Sequence, residues 1–202
     1  DALAPNAPLF TEAPDNRVAE TRYGDITATQ AAFEQAAHVV HLDIVNQRVA
    51  ALAIEPRSVL AYPENGRLTI RMSTQMPSGV RTTVSDLIGI DTQKVRVLVG
   101  DVGGGFGMKT GAYAEDVVTA FCAHTLARPV KWIADRSEEF LSSAHGRDIQ
   151  TKASLALAQD GKILGLRIET LANVGAYPTM TGLAIQMLIG PWVQSSVYDI
   201  QT

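Results

Sequence analysis

Apolar residues recur along this chain at two periods, and the switches between them lay out a mixed fold. Leu68, Ile70 and Met72 alternate with polar neighbours, the period of a half-buried strand. Just downstream, Val80, Val84, Leu87 and Ile88 recur at helical spacing and give one apolar face. Gly89 is placed to stop that helix in a left-handed turn. The shorter period returns over Val95, Val97 and Val99. A second helix is predicted over Ala112–Leu126, broadly apolar through Val117, Val118, Phe121 and Cys122, and Pro129 opens a strand over Val130–Ile133. Asp135-Arg136-Ser137-Glu138 has the spacing of a capping box, in which Asp135 accepts from the first turn and Glu138 reaches back, so a short helix to Ser143 follows. Ile149–Ala158 and Ile163–Asn173 alternate as strands, joined by the hairpin signal Asp160-Gly161.

Upstream, the Ala- and Gln-rich stretch Thr27–Ala37 predicts a short helix and Val39–Val45 a strand. Residues 1–24 form a lead-in rich in Ala, Pro and Asn without periodicity, expected to be extended. From Gly175 on, Gly and Pro mix with apolar residues and no element is assigned. Together these predict an α+β fold of mixed sheets with packed helices, residues 25–202 forming one region with a division into two subdomains near 46–60.

Composition narrows the function classes. At 202 residues the chain can bury a real core, and a net charge of -4 with both signs interspersed argues against nucleic acid or an anionic membrane as main partner. No apolar run approaches the ~18–20 residues of a membrane span. No signal peptide pattern is present. Cys122 stands alone and cannot form an internal disulfide, which points to a reducing, cytoplasmic location; its apolar neighbours predict packing rather than reactivity. His38 and His41 lack a third ligand nearby and read as ordinary histidines. The chain does not begin with Met, and Val197–Thr202 has no tail-like composition, so both ends are expected to be cut from a longer polypeptide.

The densest chemistry lies in Asp101-Val102-Gly103-Gly104-Gly105-Phe106-Gly107. Glycine removes side-chain bulk and permits positive φ, so backbone N–H groups can approach a ligand closely. A helix starting just beyond would add its own free N–H groups and positive dipole end. A dinucleotide fingerprint, G-x-G-x-x-G, fails because Met108 takes its last glycine, and no acidic residue stands at the expected strand end. A P-loop, G-x-x-x-x-G-K-[ST], fails at Met108 alone, so a nucleotide-hydrolysing domain stays open as an alternative, as does a non-catalytic interaction domain.

The loop in its surroundings resembles the molybdenum-cofactor loop of the xanthine dehydrogenase/aldehyde oxidase family. Asn46-Gln47-Arg48, Glu55-Pro56-Arg57, Ser73-Thr74-Gln75 with Arg81, the glycine loop with Lys109, Arg128–Trp132, Asp135–Glu139, Arg147-Asp148 and Asp160–Ile163 follow one another in the family's order. Gly111-Ala112-Tyr113 makes the resemblance strongest to the carbon monoxide dehydrogenase type of large subunit.

That resemblance implies a molybdenum-pyranopterin (molybdopterin) cofactor, expected as the cytosine dinucleotide form. It implies hydroxylation of an aldehyde, an N-heterocycle or a small carbon substrate by water-derived oxygen. Electrons would pass to a small subunit with [2Fe-2S] clusters and a medium subunit with FAD. Gln75, Gly104, Gly105, Phe106 and Gly107 would hold the cofactor. Gln75 would bond a ligand of the metal through a neutral amide and Phe106 through its backbone N–H, neither binding the metal directly. The Phe106 ring would pack under the cofactor or into the core. Lys109 would serve the loop or sit solvated at a helix start. Thr110 replaces a glutamate of the purine-oxidising branch, so xanthine is not the expected substrate. His145 and Arg147 read as surface or interdomain residues. The family's general-base glutamate and substrate loop would lie beyond this sequence. The chain is therefore expected to hold no catalytic residue, to depend on the rest of the large subunit, and to be inactive alone.

Overall fold

The computed structural model describes Leu3 and residues 8–200; what is expected of the lead-in and of the last residues outside those bounds falls outside the description. In chain order the elements are α1 (Ile26–Gln35), β1 (His38–Asn46), β2 (Val49–Ala50), β3 (Ser58–Glu64), β4 (Arg67–Met72), α2 (Pro77–Ile88), β5 (Val95–Leu98), α3 (Ala114–Leu126), β6 (Val130–Ile133), α4 (Arg136–Ser142), β7 (His145–Gly146), β8 (Ile149–Leu157), β9 (Ile163–Ala172), α5 (Met180–Ala184) and α6 (Gly190–Val193). A π turn over Ile185–Ile189 links the last two helices. This is the expected mixed class of helices and sheets. The chain divides into two compact units, residues up to Arg48 together with those from Arg147 on, and Val49–Gly146.

The first unit is built on an antiparallel sheet in the order β1-β8-β9. The β8–β9 hairpin turns at Asp160-Gly161, where Gly161 has φ +85° and Asp160 accepts from the Lys162 N–H. Asp25 caps α1 by accepting from the Ala28 N–H. Arg167 on β9 places its guanidinium 4.4 Å above the Phe33 ring of that helix. Before α1, residues 8–24 contain no helix or strand, only an isolated bridge between Phe10 and Ala13 with turns beside it.

The second unit carries a four-stranded sheet in the order β5-β4-β3-β6. β3 and β4 form a hairpin whose two-residue turn, Asn65-Gly66, has positive φ at both positions (+49° and +74°), the geometry that matches strand twist. β4 and β5 run parallel, which requires a crossover; α2 supplies it. The core gathers Val59, Ala61, Leu68, Ile70 and Met72 from the sheet with Val80 and Val84 of α2 and Ala120 and Ala123 of α3.

Two helix faces depart from expectation. Leu87 is 67% exposed, because α2 lies on the sheet through Val80, Val84 and Ser85, and the Ser85 hydroxyl satisfies itself on the Thr82 carbonyl and the Thr92 hydroxyl. α3 turns its small residues inward: Thr119, Ala120 and Ala123 are buried while Val118 and Phe121 face out. Small side chains let a helix approach a sheet closely, which an apolarity count does not register. Gly89 does end α2 in the left-handed region, with φ +73° and its N–H on the Ser85 carbonyl. The Asp135–Glu138 capping box is formed, each carboxylate accepting the other residue's backbone N–H.

Candidate functional site

The site is built from three segments of the second unit: Ala53–Arg57 before β3, Ser73–Gln75 after β4, and the glycine loop after β5. β4 and β5 are adjacent and parallel, so the segments leaving their C-terminal ends emerge side by side. The Gln75 N–H donates to the Lys109 carbonyl at 2.9 Å and the Thr74 hydroxyl donates to the same oxygen at 3.0 Å, joining the two segments.

Gln75 and the loop meet directly. The Gly107 N–H donates to Gln75 Oε1 at 3.1 Å. A backbone N–H can only donate, so the amide atom facing it is the oxygen, and Gln75 Nε2 is turned away as a donor. Neither that Nε2 nor the Phe106 N–H has an acceptor among the described residues. Phe106 has φ +50°, a left-handed conformation unusual for a side chain of its size, and is 74% exposed. Its ring lies over Gly104 rather than in the core.

The glycines serve two purposes. A Cβ on Gly103 would collide with Glu55 Cβ; one on Gly104 would stand 2.9 Å from the Phe106 ring and 3.3 Å from Ala53 Cβ; one on Gly105 would stand 2.6 Å from Gln75 Cδ. These three are small so that the loop can press against its own chain, and Gly104, at φ +104°, is also required by conformation. Gly107, with φ +89° and open space where a Cβ would point, is the glycine required by conformation alone.

The helix expected from Ala112 forms, but it begins at Ala114 and does not adjoin the loop. Met108 N–H bonds back to the Gly105 carbonyl at 2.9 Å and the Thr110 hydroxyl to the Gly107 carbonyl at 2.8 Å, so the chain turns back on itself and α3 begins only at Ala114. The loop therefore presents its own N–H groups, without a helix terminus.

Lys109 is neither solvated nor at a helix start; it is 2% exposed. Its ammonium donates to the Glu55 carbonyl, Glu55 Oε2 and Ser73 Oγ, each at 3.0 Å. Glu55 Oε2 also accepts from Ser73 Oγ at 2.6 Å and from the Gly103 N–H at 2.8 Å. Burial raises the Glu55 carboxyl, but these donors outweigh it and hold the group below the usual carboxylate range. An ammonium committed to three protein oxygens is unavailable to a phosphate. With Met108 in place of the motif glycine and α3 starting only at Ala114, this disfavours the P-loop alternative.

Arg57 anchors the platform beneath. Its buried guanidinium bonds Glu139 at 3.1 Å, Ser143 at 3.0 Å, Ser142 at 2.6 Å and Glu115 at 3.3 Å, and lies 3.8 Å from the Tyr113 ring centroid. Tyr113 in turn donates its hydroxyl to the Met108 carbonyl at 2.6 Å and accepts from the Ala144 N–H, which ties α3 and the end of α4 to the loop. Asp116, the first buried carboxylate of α3, accepts the Tyr113 N–H, and burial pushes its carboxyl up to about 6.

The remaining candidates lie apart. His145 pairs with Ala50 in the short β2–β7 ladder and its ring bonds the Phe140 carbonyl. In the first unit Arg48 pairs with Asp148 at 3.5 Å, and Arg147 and Asp148 both have positive φ. His38 and His41 are exposed on β1. Cys122 is half-buried in α3. Among the described residues no three His, Cys, Asp or Glu side chains come together as a metal site, and no helix is long and apolar enough to cross a membrane. Glu55, Ser73 and Tyr113 are parts of the loop's support that sequence reading did not single out as site residues; all three stood only within longer stretches, without a role.

A glycine loop and a glutamine amide that offer hydrogen-bond donors, with no cluster of metal-ligating side chains among the described residues, suit a cofactor that brings its own metal ligands. The chain belongs to the molybdopterin cofactor-binding domain family, whose model matches residues 9–202. It is 38% identical over 192 residues to the carbon monoxide dehydrogenase large chain of Hydrogenophaga pseudoflava, covering 88% of this chain and 24% of that one. It is 34% identical to the nicotine 6-hydroxylase large subunit of Paenarthrobacter nicotinovorans, covering 94% and 24%. Its fold superimposes on quinoline 2-oxidoreductase from Pseudomonas putida 86 with a TM-score of 0.79 at 34% identity, covering 84% and 22%. The chain thus spans about a quarter of the length of these relatives.

Proposed function

We propose that residues 25–202 form the first part of the cofactor-binding region of a molybdenum hydroxylase large subunit. The observation that carries this reading is the pairing of Gln75 with the glycine loop. The Gln75 amide oxygen is spent on Gly107, and two donors on the joined segments, Gln75 Nε2 and the Phe106 N–H, have no acceptor among the described residues. Gly104, Gly105 and Gly107 shape the cradle, and Gln75 and Phe106 donate to ligands of the metal without binding it. When bound, the molybdenum pterin supplies the redox chemistry, and these residues orient it.

The fit is supported by the chemistry of the donors. All are neutral, so they stabilise electron-rich oxygen or sulfur around a metal without adding charge that would disturb its redox state. The whole protein oxidises an aldehyde, an N-heterocycle or a small carbon substrate with water-derived oxygen. It passes electrons to iron–sulfur and FAD subunits, binds the cytosine dinucleotide form of the cofactor and works in the cytoplasm. Relatives named for carbon monoxide, nicotine and quinoline support the reaction class and leave the substrate open. Thr110, whose hydroxyl is spent on the Gly107 carbonyl, offers no carboxylate to a purine.

The test is metal and pterin analysis of the complete, matured protein. About one molybdenum and one pterin per polypeptide, with CMP released on hydrolysis, is the expected result. A mature preparation free of molybdenum refutes the reading. The chain taken alone should not oxidise aldehydes or purines with a dye acceptor, and turnover there would sink the view that its catalytic base lies elsewhere.

A further inference from the structure

We infer that Glu55, Ser73 and Lys109 are positioning residues for the cofactor cradle: they touch no cofactor themselves and act by setting the direction of the Gln75 and Phe106 donors. The inference rests on the cofactor reading above. Glu55 Oε2, Ser73 Oγ and Lys109 Nζ form a closed triangle with sides of 2.6, 3.0 and 3.0 Å. The ammonium's three N–H bonds are all used inside the protein.

The placement of this triangle is what gives it a role. Glu55 holds both ends of the loop, Gly103 through its N–H at 2.8 Å and Lys109 through its ammonium at 3.0 Å, so residues 103–109 are cinched into a ring by one carboxylate. Ser73 stands two residues before Gln75, and Lys109 two after Gly107, the partners of the 3.1 Å bond that turns Gln75 Nε2 outward. The Lys109 carbonyl takes the Thr74 hydroxyl and the Gln75 N–H, so the same residue fixes both segments through main chain and side chain. A stability role alone would not require one lysine to bridge both donor-bearing segments. A preorganised donor pair does, because a donor misplaced by about 1 Å loses most of its effect.

The experiment uses the complete protein with Lys109→Met and with the Glu55→Gln/Lys109→Met double variant. The double removes both charges, so no unpaired carboxylate is left. Readouts are molybdenum and pterin content, the paramagnetic resonance signal of the partly reduced metal, and far-ultraviolet circular dichroism. Both variants are expected to keep the parent's dichroism. They should lose about tenfold in cofactor content, the scale of one well-made hydrogen bond to a charged group, and shift the signal in the fraction that stays loaded.

Variants that fold, load fully and give the parent signal overturn the inference. A double variant that does not fold assigns the triangle to the fold rather than to the cradle, and overturns it as well. A parent protein without molybdenum overturns the cofactor reading itself. A loaded parent with indifferent variants overturns only the positioning role.

Discussion

Adding one methyl group at Gly105 should separate the site's function from its stability. Gly105 is buried beneath the Gln75 side chain, and a Cβ there would stand 2.6 Å from Gln75 Cδ and 2.9 Å from Cγ, where ordinary contact begins at 3.4 Å. The glutamine must retreat by about 1 Å. Its bond from the Gly107 N–H, 3.1 Å in the parent, would then stretch to about 4 Å, beyond hydrogen-bonding range. Overpacking a closed core costs about 1–3 kcal/mol, but Gln75 is an exposed, flexible side chain that can swing into solvent. The lost bond is neutral and solvent-accessible, worth about 1 kcal/mol or less, which is roughly 2–4 °C of melting temperature for a chain of this size. Gly105→Ala should therefore melt within about 4 °C of the parent when cofactor-free, while molybdenum content of the matured protein falls severalfold because Nε2 no longer points at the cradle. Thermal scans of the cofactor-free form and metal analysis of the matured form check the two halves. Full molybdenum loading in Gly105→Ala would refute the reasoning, since it would show that the Gln75 orientation does not matter.

Arg57→Lys should destabilise the protein by about 3 kcal/mol despite keeping the charge, because an ammonium cannot span Glu139, Glu115, Ser142 and Ser143 while stacking on Tyr113; a melting temperature within 2 °C of the parent contradicts the hub. Asp116→Asn should change the pH dependence of stability. The carboxyl is raised to about 6 when folded against its ordinary 3.8, so the folded state binds more protons between those values and parent stability falls as pH rises from about 4 to about 6. The Asn variant lacks this loss, so its stability relative to the parent should grow by up to about 3 kcal/mol across that window in urea titrations, and a constant difference refutes the assignment.

Local rules carried much of the fold. The Asp135–Glu138 box, the Asp160-Gly161 hairpin and the Gly89 stop each depend on residues a few positions apart, and each forms as its chemistry requires. β3 was also legible, since Asn65-Gly66 between Val59, Ala61 and Leu68, Ile70 is a hairpin signal, yet the sequence reading passed over it. What local rules could not show is which apolar residues touch. Leu87, Val118 and Phe121 fit helical periods and face outward, because Ser85, Ala120 and Ala123 permit the closer approach. Lys109 was beyond reach for the same reason: its burial depends on Glu55 and Ser73, which stand 54 and 36 positions away.

The glycine loop itself changes meaning under the structure. A run of glycines suggests backbone laid bare for a ligand. Here Glu55, Ala53 and Gln75 press against Gly103, Gly104 and Gly105, with Gly104 also held at φ +104°, so the run first serves contact within the protein. That contact is what makes the exposed part of the loop useful. Phe106 sits at φ +50°, a conformation that costs on the order of 1 kcal/mol and persists only where its surroundings enforce it. They do so from both sides, through the Gly103–Glu55 bond before it and the Gly107–Gln75 bond after it. The Phe106 N–H is thereby aimed before any cofactor arrives, and the binding step need not order it. The packed glycines and the free donor are one device: the first three residues are immobilised against the chain so that the fourth can present its N–H in a fixed direction.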